Sequence, residues 1–320
     1  MVAGVTGDVL QASSSLPDDE VLSSAPLRFG LVGTGYWARI AHARALADCP
    51  GVEFAAVWGR NPTAAAELAA TFGVAAHTDF DEFLTGVDAV EFSVPPDVQS
   101  ELALRAARAG KHLLLEKPLA LTAEASNALV AAVAEAGVAS VVFFTARFQP
   151  DARAWLADVT RAGGWAGGRA TWLGTVYTES SPFNTPWRRE KGALWDLGPH
   201  VISLLWPILG PVDSVTAVAG RGDLTHLVLQ HRSGATSTAT LTLGAPAPAE
   251  GFDLQVWGEH GRSSLPPLAD DPTGALLVAL AELTNNARSG RTSHPCDVRF
   301  ADAVTRVLAE AQGAVDAHRG

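Results

Sequence analysis

The stretch Leu27-Arg28-Phe29-Gly30-Leu31-Val32-Gly33-Thr34-Gly35-Tyr36-Trp37-Ala38 decides the fold. Leu27–Val32 reads as a short buried strand, and Gly33–Ala38 is a GxGxxA turn opening an Ala-rich helix that runs to about Ala47. Gly33 permits the tight turn, Gly35 lets the backbone approach a pyrophosphate, and Ala38 keeps the helix close to the sheet. The helix N-terminus attracts negative charge. A bare glycine pattern is weak evidence. At the first strand–helix junction of a longer alternation it points to a dinucleotide.

Outward from this turn the alternation repeats. Val52–Trp58 is a second strand, after which Asn61 and Pro62 suit the cap and first position of a helix that Gly73 ends. Ala89–Val94, His112–Glu116 and Ser140–Thr145 read as further strands, separated by helices capped at Asp97 and opening at Thr122. Continuous apolar strands between helices specify a parallel sheet covered on both faces. The expectation is an α/β Rossmann domain, a doubly wound parallel sheet, over residues 26–147. Residues 1–25, rich in Ser, Asp, Gly and Ala, read as a mobile leader.

After Phe148 the texture changes, with Trp155, Trp165, Trp172, Trp187, Trp195 and Trp206 crowded into one region. Leu227–Leu229 and Ala235–Leu243 flank a hairpin at His231–Gly234. In the second arm Thr236, Thr238, Thr240 and Thr242 alternate with apolar or small residues, the period of a strand with two distinct faces. Helices follow over 272–287 and 298–317. Residues 148–320 are therefore expected to form an α+β domain with a mainly antiparallel sheet, serving substrate binding and oligomerisation.

Composition narrows the function. The chain carries 23 Lys+Arg against 34 Asp+Glu, a net charge of −11. No basic stripe exists to neutralise phosphates, which argues against a nucleic-acid partner. The longest apolar stretch, 128–144, is broken by Glu135 and Gly137, short of the ~18 uncharged residues a membrane helix needs. Cys49 and Cys296 stand far apart without a metal-ligand spacing, so neither a disulfide framework nor a zinc site is expected. A cytoplasmic protein without a metal is the expectation.

The end of the second strand reads Trp58-Gly59-Arg60-Asn61. No carboxylate stands there to hold a ribose 2′-hydroxyl. Glu53 lies at the wrong end of the strand, and Arg60 is placed to pair with a 2′-phosphate. NADP is expected in preference to NAD.

Two more motifs carry chemistry. Glu116-Lys117-Pro118 follows the strand His112–Glu116, at the sheet edge where doubly wound folds bind ligands. In Gly192-Ala193-Leu194-Trp195-Asp196-Leu197-Gly198-Pro199-His200, Asp196 and His200 share a face if both are helical. A histidine can exchange a proton with a substrate hydroxyl near neutral pH. His42, His77, His226, His231, His260, His294 and His318 lack such a context and read as ordinary surface or core residues.

Phe29–Ala38, Ser93–Pro118 and Gly192–His200 together resemble the Gfo/Idh/MocA family, the glucose–fructose oxidoreductase and inositol dehydrogenase group. The resemblance implies hydride transfer between a nicotinamide and a secondary alcohol or carbonyl of a sugar, cyclitol or related polyol. It implies that Lys117, Asp196 and His200 meet beside the nicotinamide ring. Gly33, Thr34, Gly35, Tyr36, Trp37, Arg60, Val94, Pro95, Glu116 and Lys117 become the expected cofactor contacts. Arg147 and the pair Trp187-Arg188 resemble positions near cofactor or substrate. The chain departs from the family at Gly192-Ala193-Leu194, which is poor in glycine, and at Ser203, where an acidic residue is common. It also reads Pro95-Pro96-Asp97-Val98-Gln99 where many members have Pro-Asn-x-x-His. The resemblance further implies a homodimer or homotetramer packed through the threonine-lined sheet. A dihydrodiol dehydrogenase, a C=C reductase and a non-catalytic NADP-binding regulator are the alternatives; keeping Lys117, Asp196 and His200 together disfavours the last.

Overall fold

The protein's structure, a computed structural model, describes residues 25–319, so the leader expected over 1–25 lies outside the described residues except for Ala25. The first half runs β1 (Leu27–Val32), a π-helical turn (Ala38–His42), α1 (Ala43–Asp48), β2 (Val52–Trp58), α2 (Pro62–Phe72), β3 (Ala75–His77) and α3 (Phe80–Thr85). It continues through β4 (Ala89–Phe92), α4 (Pro96–Arg108), β5 (His112–Glu116), α5 (Ala123–Ala136) and β6 (Ser140–Phe143). The six strands form one parallel sheet in the order β3-β2-β1-β4-β5-β6. Order reverses between β1 and β4, the point at which doubly wound sheets open a ligand crevice beyond the strand ends.

Local chemistry explains the elements. Phe29, Leu31 and Val32 of β1 and Val141, Val142 and Phe143 of β6 are fully buried, as strands covered on both faces require. Asn61 caps α2 by accepting from the Ala64 N–H at 3.1 Å, and Gly73 closes it in the left-handed region at φ 68°. Asp97 lies inside the first turn of α4 and does not cap it, because Pro95 and Pro96 fix the helix start.

The second half begins with a 3-10 turn (Thr145–Phe148), α6 (Pro150–Ala162), β7 (Trp165–Leu173), α7 (Pro186–Asp196) and α8 (Gly198–Leu209). Then come β8 (Val212–Ala219), β9 (Thr225–His231), β10 (Thr236–Thr242), β11 (Gly251–Gly258), β12 (Gly261–Ser264), α9 (Pro272–Arg288) and α10 (Val298–Arg319). Its sheet runs β12-β11-β7-β10-β9-β8, antiparallel except for the parallel pair β7–β10. Alternate residues of β10 are buried: Ser237, Ala239 and Leu241 face the side that α8 and α10 cover, while Thr236 and Thr238 face outward. The outer face also carries Val218, Val228 and Trp257, each more than a third exposed.

Candidate active site

The crevice at the β1–β4 reversal is a cleft of about 420 Å³ formed by the ends of β1, β2 and β4. Gly33, at φ 129°, admits no side chain, since a Cβ would come within 2.3 Å of the Ser93 carbonyl oxygen. A Cβ on Gly35 would instead project into the open cleft, with nothing within 4 Å. That cradle is what a dinucleotide pyrophosphate occupies. Thr34, Arg60, Val94 and Pro95 line the same cleft. Arg60 is exposed, and among the described residues its side chain has neither a hydrogen bond nor an ion pair. Glu53 sits at the far end of β2, in an ion pair with Arg28 at 3.3 Å.

Gly35, Val94 and Pro95 also border a larger cavity of about 690 Å³, into which the second half of the chain contributes. Lys117, Asp196 and His200 meet there, with Tyr36, Trp37, Glu116, Trp187 and Arg188 in the walls. Lys117 follows β5 with a cis peptide to Pro118. Its ammonium donates to the Asp196 carboxylate at 2.7 Å and to the Asp196 carbonyl at 2.9 Å. Two of three ammonium donors are thereby used, leaving one for a ligand. Arg188 donates from Nε to the second Asp196 oxygen at 2.9 Å. Burial alone would raise the Asp196 carboxyl, yet the two cations beside it hold it well below the usual carboxylate range.

His200 stands at the start of α8, four residues after Asp196, with Leu197 linking the two helices. Its ring does not bond Asp196: Nδ1 is buried without a partner, and Nε2 remains the edge open to the cavity. Burial first, and Lys117 second, push its pKa down to about 3, so the ring is neutral at physiological pH. Trp172, stacked on Phe252 at 4.2 Å, lies 5.4 Å from the His200 ring.

Two features escaped the sequence reading. Gln99, fully buried, grips the Glu116 backbone from both sides, accepting its N–H at 2.8 Å and donating to its carbonyl at 2.7 Å. The residue that replaces the family's histidine therefore pins the turn carrying Lys117. The second is His42, read as ordinary. It is buried between two carboxylates, with Nδ1 2.5 Å from Glu91 Oε1 and Nε2 3.2 Å from Glu116 Oε1. Glu116 also accepts the Trp37 indole N–H at 2.9 Å and the Lys117 backbone N–H at 3.1 Å. A carboxylate inside the apolar strand Ala89–Phe92 was the available signal, because such a group requires a buried partner.

Arg147 stands apart from the other expected contacts. It lines neither cavity, because the 3-10 turn directs Thr145 and Ala146 to the 690 Å³ cavity and Arg147 and Phe148 to a separate cleft behind it. Among the described residues no group of His, Cys, Asp and Glu side chains could hold a metal ion, and no helix is long and apolar enough to cross a membrane.

A Rossmann crevice joined to a cavity holding lysine, aspartate and histidine defines a dinucleotide-binding protein of the oxidoreductase type. Two family models match: "Oxidoreductase family, NAD-binding Rossmann fold" over residues 27–144 and "GFO/IDH/MocA C-terminal domain" over 166–264. The chain belongs to the Gfo/Idh/MocA oxidoreductase family. It is 33% identical over 211 residues to levoglucosan dehydrogenase of Pseudarthrobacter phenanthrenivorans, covering 60% of this chain and 53% of that protein. It is 35% identical over 125 residues to inositol 2-dehydrogenase of Rhizobium meliloti, covering 39% and 38%. The matched stretches thus span about half or less of these relatives. In fold, the chain resembles an oxidoreductase domain protein from Kribbella flavida, with TM-score 0.82, 23% identity, and 92% and 98% of the two chains covered. A levoglucosan dehydrogenase in complex with NADH and levoglucosan gives TM-score 0.79 at 20% identity, covering 91% and 98%.

Proposed function

We propose that this protein is an NADP-dependent oxidoreductase acting on a secondary alcohol or carbonyl of a sugar, cyclitol or related polyol. The observation that carries the reading is the meeting of Lys117, Asp196 and His200 in a cavity continuous with the glycine-turn cleft. The relatives named for levoglucosan and inositol support the substrate class. A bound nicotinamide dinucleotide supplies the hydride acceptor or donor. The free Lys117 donor faces the substrate oxygen, orients the hydroxyl for oxidation and polarises the carbonyl in the reverse, reducing direction. Neutral His200 accepts the hydroxyl proton at Nε2. As hydride leaves the carbon, the hydroxyl becomes a protonated carbonyl, an acid far stronger than imidazolium, so even a weakly basic ring takes the proton. Asp196, held at both oxygens, fixes the direction of Lys117. The aromatic walls Trp172, Phe183 and Trp187 suit the C–H face of a sugar ring and also admit a dihydrodiol. A screen of sugars, cyclitols and dihydrodiols with both cofactors, read at the nicotinamide absorbance, tests the reading. Turnover of none of them overturns it.

Cofactor preference rests on Arg60. NADPH is expected to bind more tightly than NADH, and Arg60→Ala to remove most of the difference, about 10- to 150-fold for a charge-assisted contact. Fluorescence titration measures both constants; equal affinities in the wild type contradict the assignment.

We infer a homodimer or homotetramer joined through the outer face of the second sheet, where Val218, Val228 and Trp257 are exposed beside Thr236 and Thr238. Val228→Glu is expected to weaken assembly by placing a charge in that face. Light scattering that returns the 33.3 kDa mass of one chain for the wild type at micromolar concentration counts against it. A cytoplasmic location is part of the proposal, supported by two buried free thiols, Cys49 and Cys296, each pushed up to about 11 by burial.

A further inference from the structure

Arg147 opens onto a cleft of about 710 Å³ between α6, α9 and the segment preceding α10. Four guanidiniums line it, from Arg147, Arg153, Arg161 and Arg291, against the single carboxylate of Glu282, in a chain of net charge −11. Glu282 is already neutralised. It accepts from Arg153 at 2.7 Å and from His294 Nε2 at 2.9 Å, and although burial alone would raise it, these contacts hold its carboxyl down at about 2. His294 accepts the Cys296 N–H at Nδ1, so Nε2 is its donor to Glu282. Arg161 pairs with Asp158 at 2.8 Å, both largely exposed. Arg147 donates to the Ser203 carbonyl at 2.8 Å and lies 5.7 Å from the Phe300 ring, without a carboxylate partner. Arg291 has no side-chain hydrogen bond or ion pair among the described residues. Two guanidiniums therefore share one cleft without counter-ions, above a floor of Phe148, Leu156 and Cys296. A cleft with low-dielectric walls focuses such a field, and planar guanidinium forks match the oxygens of phosphate and carboxylate.

We propose that this cleft binds a small, multiply charged oxyanion, phosphate- or carboxylate-bearing, and that its occupancy is felt in the catalytic cavity. The coupling has a short physical route. Thr145 and Ala146 line the catalytic cavity, and the next two residues of the same turn line the cleft. Arg147 also holds the carbonyl of Ser203 on α8, whose hydroxyl donates to the His200 carbonyl at 2.7 Å. An anion drawing on Arg147 competes for the donor that ties the turn to the helix bearing His200.

Binding does not depend on the dehydrogenase reading, so failure of either is separately visible. Calorimetric titration at constant ionic strength with inorganic phosphate in one arm and citrate in the other measures it and distinguishes the two sources. Saturable binding of at least one anion is expected, weakened about tenfold or more in Arg291→Gln and in Arg147→Gln. Arg291 is exposed, so its replacement leaves the fold intact. Binding of neither anion, or equal binding in Arg291→Gln, overturns the site. Hydrogen exchange of α8 amides is expected to change on saturation in the wild type and not in Arg147→Gln; unchanged exchange in the wild type overturns the coupling.

Discussion

His200→Asn and Lys117→Met are each expected to lower kcat by about 10²–10⁴ while leaving dinucleotide affinity near that of the wild type. Both side chains face the cavity that receives substrate, and neither lines the glycine-turn cleft that would hold the pyrophosphate. Their interactions with the reacting oxygen strengthen as charge develops, so their loss falls on the chemical step. Asparagine keeps a polar edge near Nδ1, and methionine keeps the lysine stem without its charge. Lys117→Met also removes one of the two cations holding Asp196, so its carboxyl should rise towards the ordinary range. Asp196→Asn should cost less, since Asp196 bonds Lys117 and Arg188 and makes no hydrogen bond to His200. Because His200 stays neutral down to about pH 3 in the free protein, kcat/KM for alcohol oxidation should show no acid inflection near the ordinary histidine value. Single-turnover hydride transfer, once a substrate is found, reads all three variants. Wild-type rates in both His200→Asn and Lys117→Met, with cofactor bound normally, rule this mechanism out.

Legibility in the sequence followed the range of the interactions. β1, β2, β4, β5 and β6 could be read because each is an apolar run with a glycine or a cap beside it. The short β3 and α3 could not: Ala75–His77 is three residues without a pattern, and its strand character comes from pairing with β2. The parallel β7–β10 pair joins residues about seventy positions apart, so no local periodicity announces it. Within the site, Lys117, Asp196 and His200 were legible only because their motifs resemble a family's. The double grip of Gln99 on Glu116 and the turning of Arg147 away from the cavity depend on side-chain direction, which spacing does not encode. His42 was missed for a related reason: it ends the π-helical turn, and its partners Glu91 and Glu116 lie on two different strands, β4 and β5.

Replacing His42 by Asn is expected to destabilise the protein by about 3–5 kcal/mol at neutral pH, the range for breaking a buried charge cluster by removing one member. Glu91 is fully buried, its Oε2 has no partner, and burial raises its carboxyl despite the imidazole. Burial alone would lower His42, but Glu91 and Glu116 override it and push the ring up to about 9. Because that value exceeds the unfolded one of about 6.5, the imidazolium's contribution is fully present below pH 6.5 and is lost as pH rises through about 9. The gap between wild type and His42→Asn in urea unfolding should therefore narrow from pH 7 towards pH 9.5. It should also narrow in acid, where the variant's buried carboxylates take up protons and cease to repel. Adding Glu91→Gln to His42→Asn removes one of the two stranded charges, so the double variant should regain part of the loss, a coupling that additive packing defects do not give. A gap below about 1 kcal/mol, or one independent of pH and unrelieved by Glu91→Gln, would mean that His42 fills space without bridging charge. If the coupling is found, the Glu116 carboxylate that holds Trp37 and the Lys117 N–H is anchored through His42 to the core of the sheet, and the placement of Lys117 depends on a proton held one layer below it.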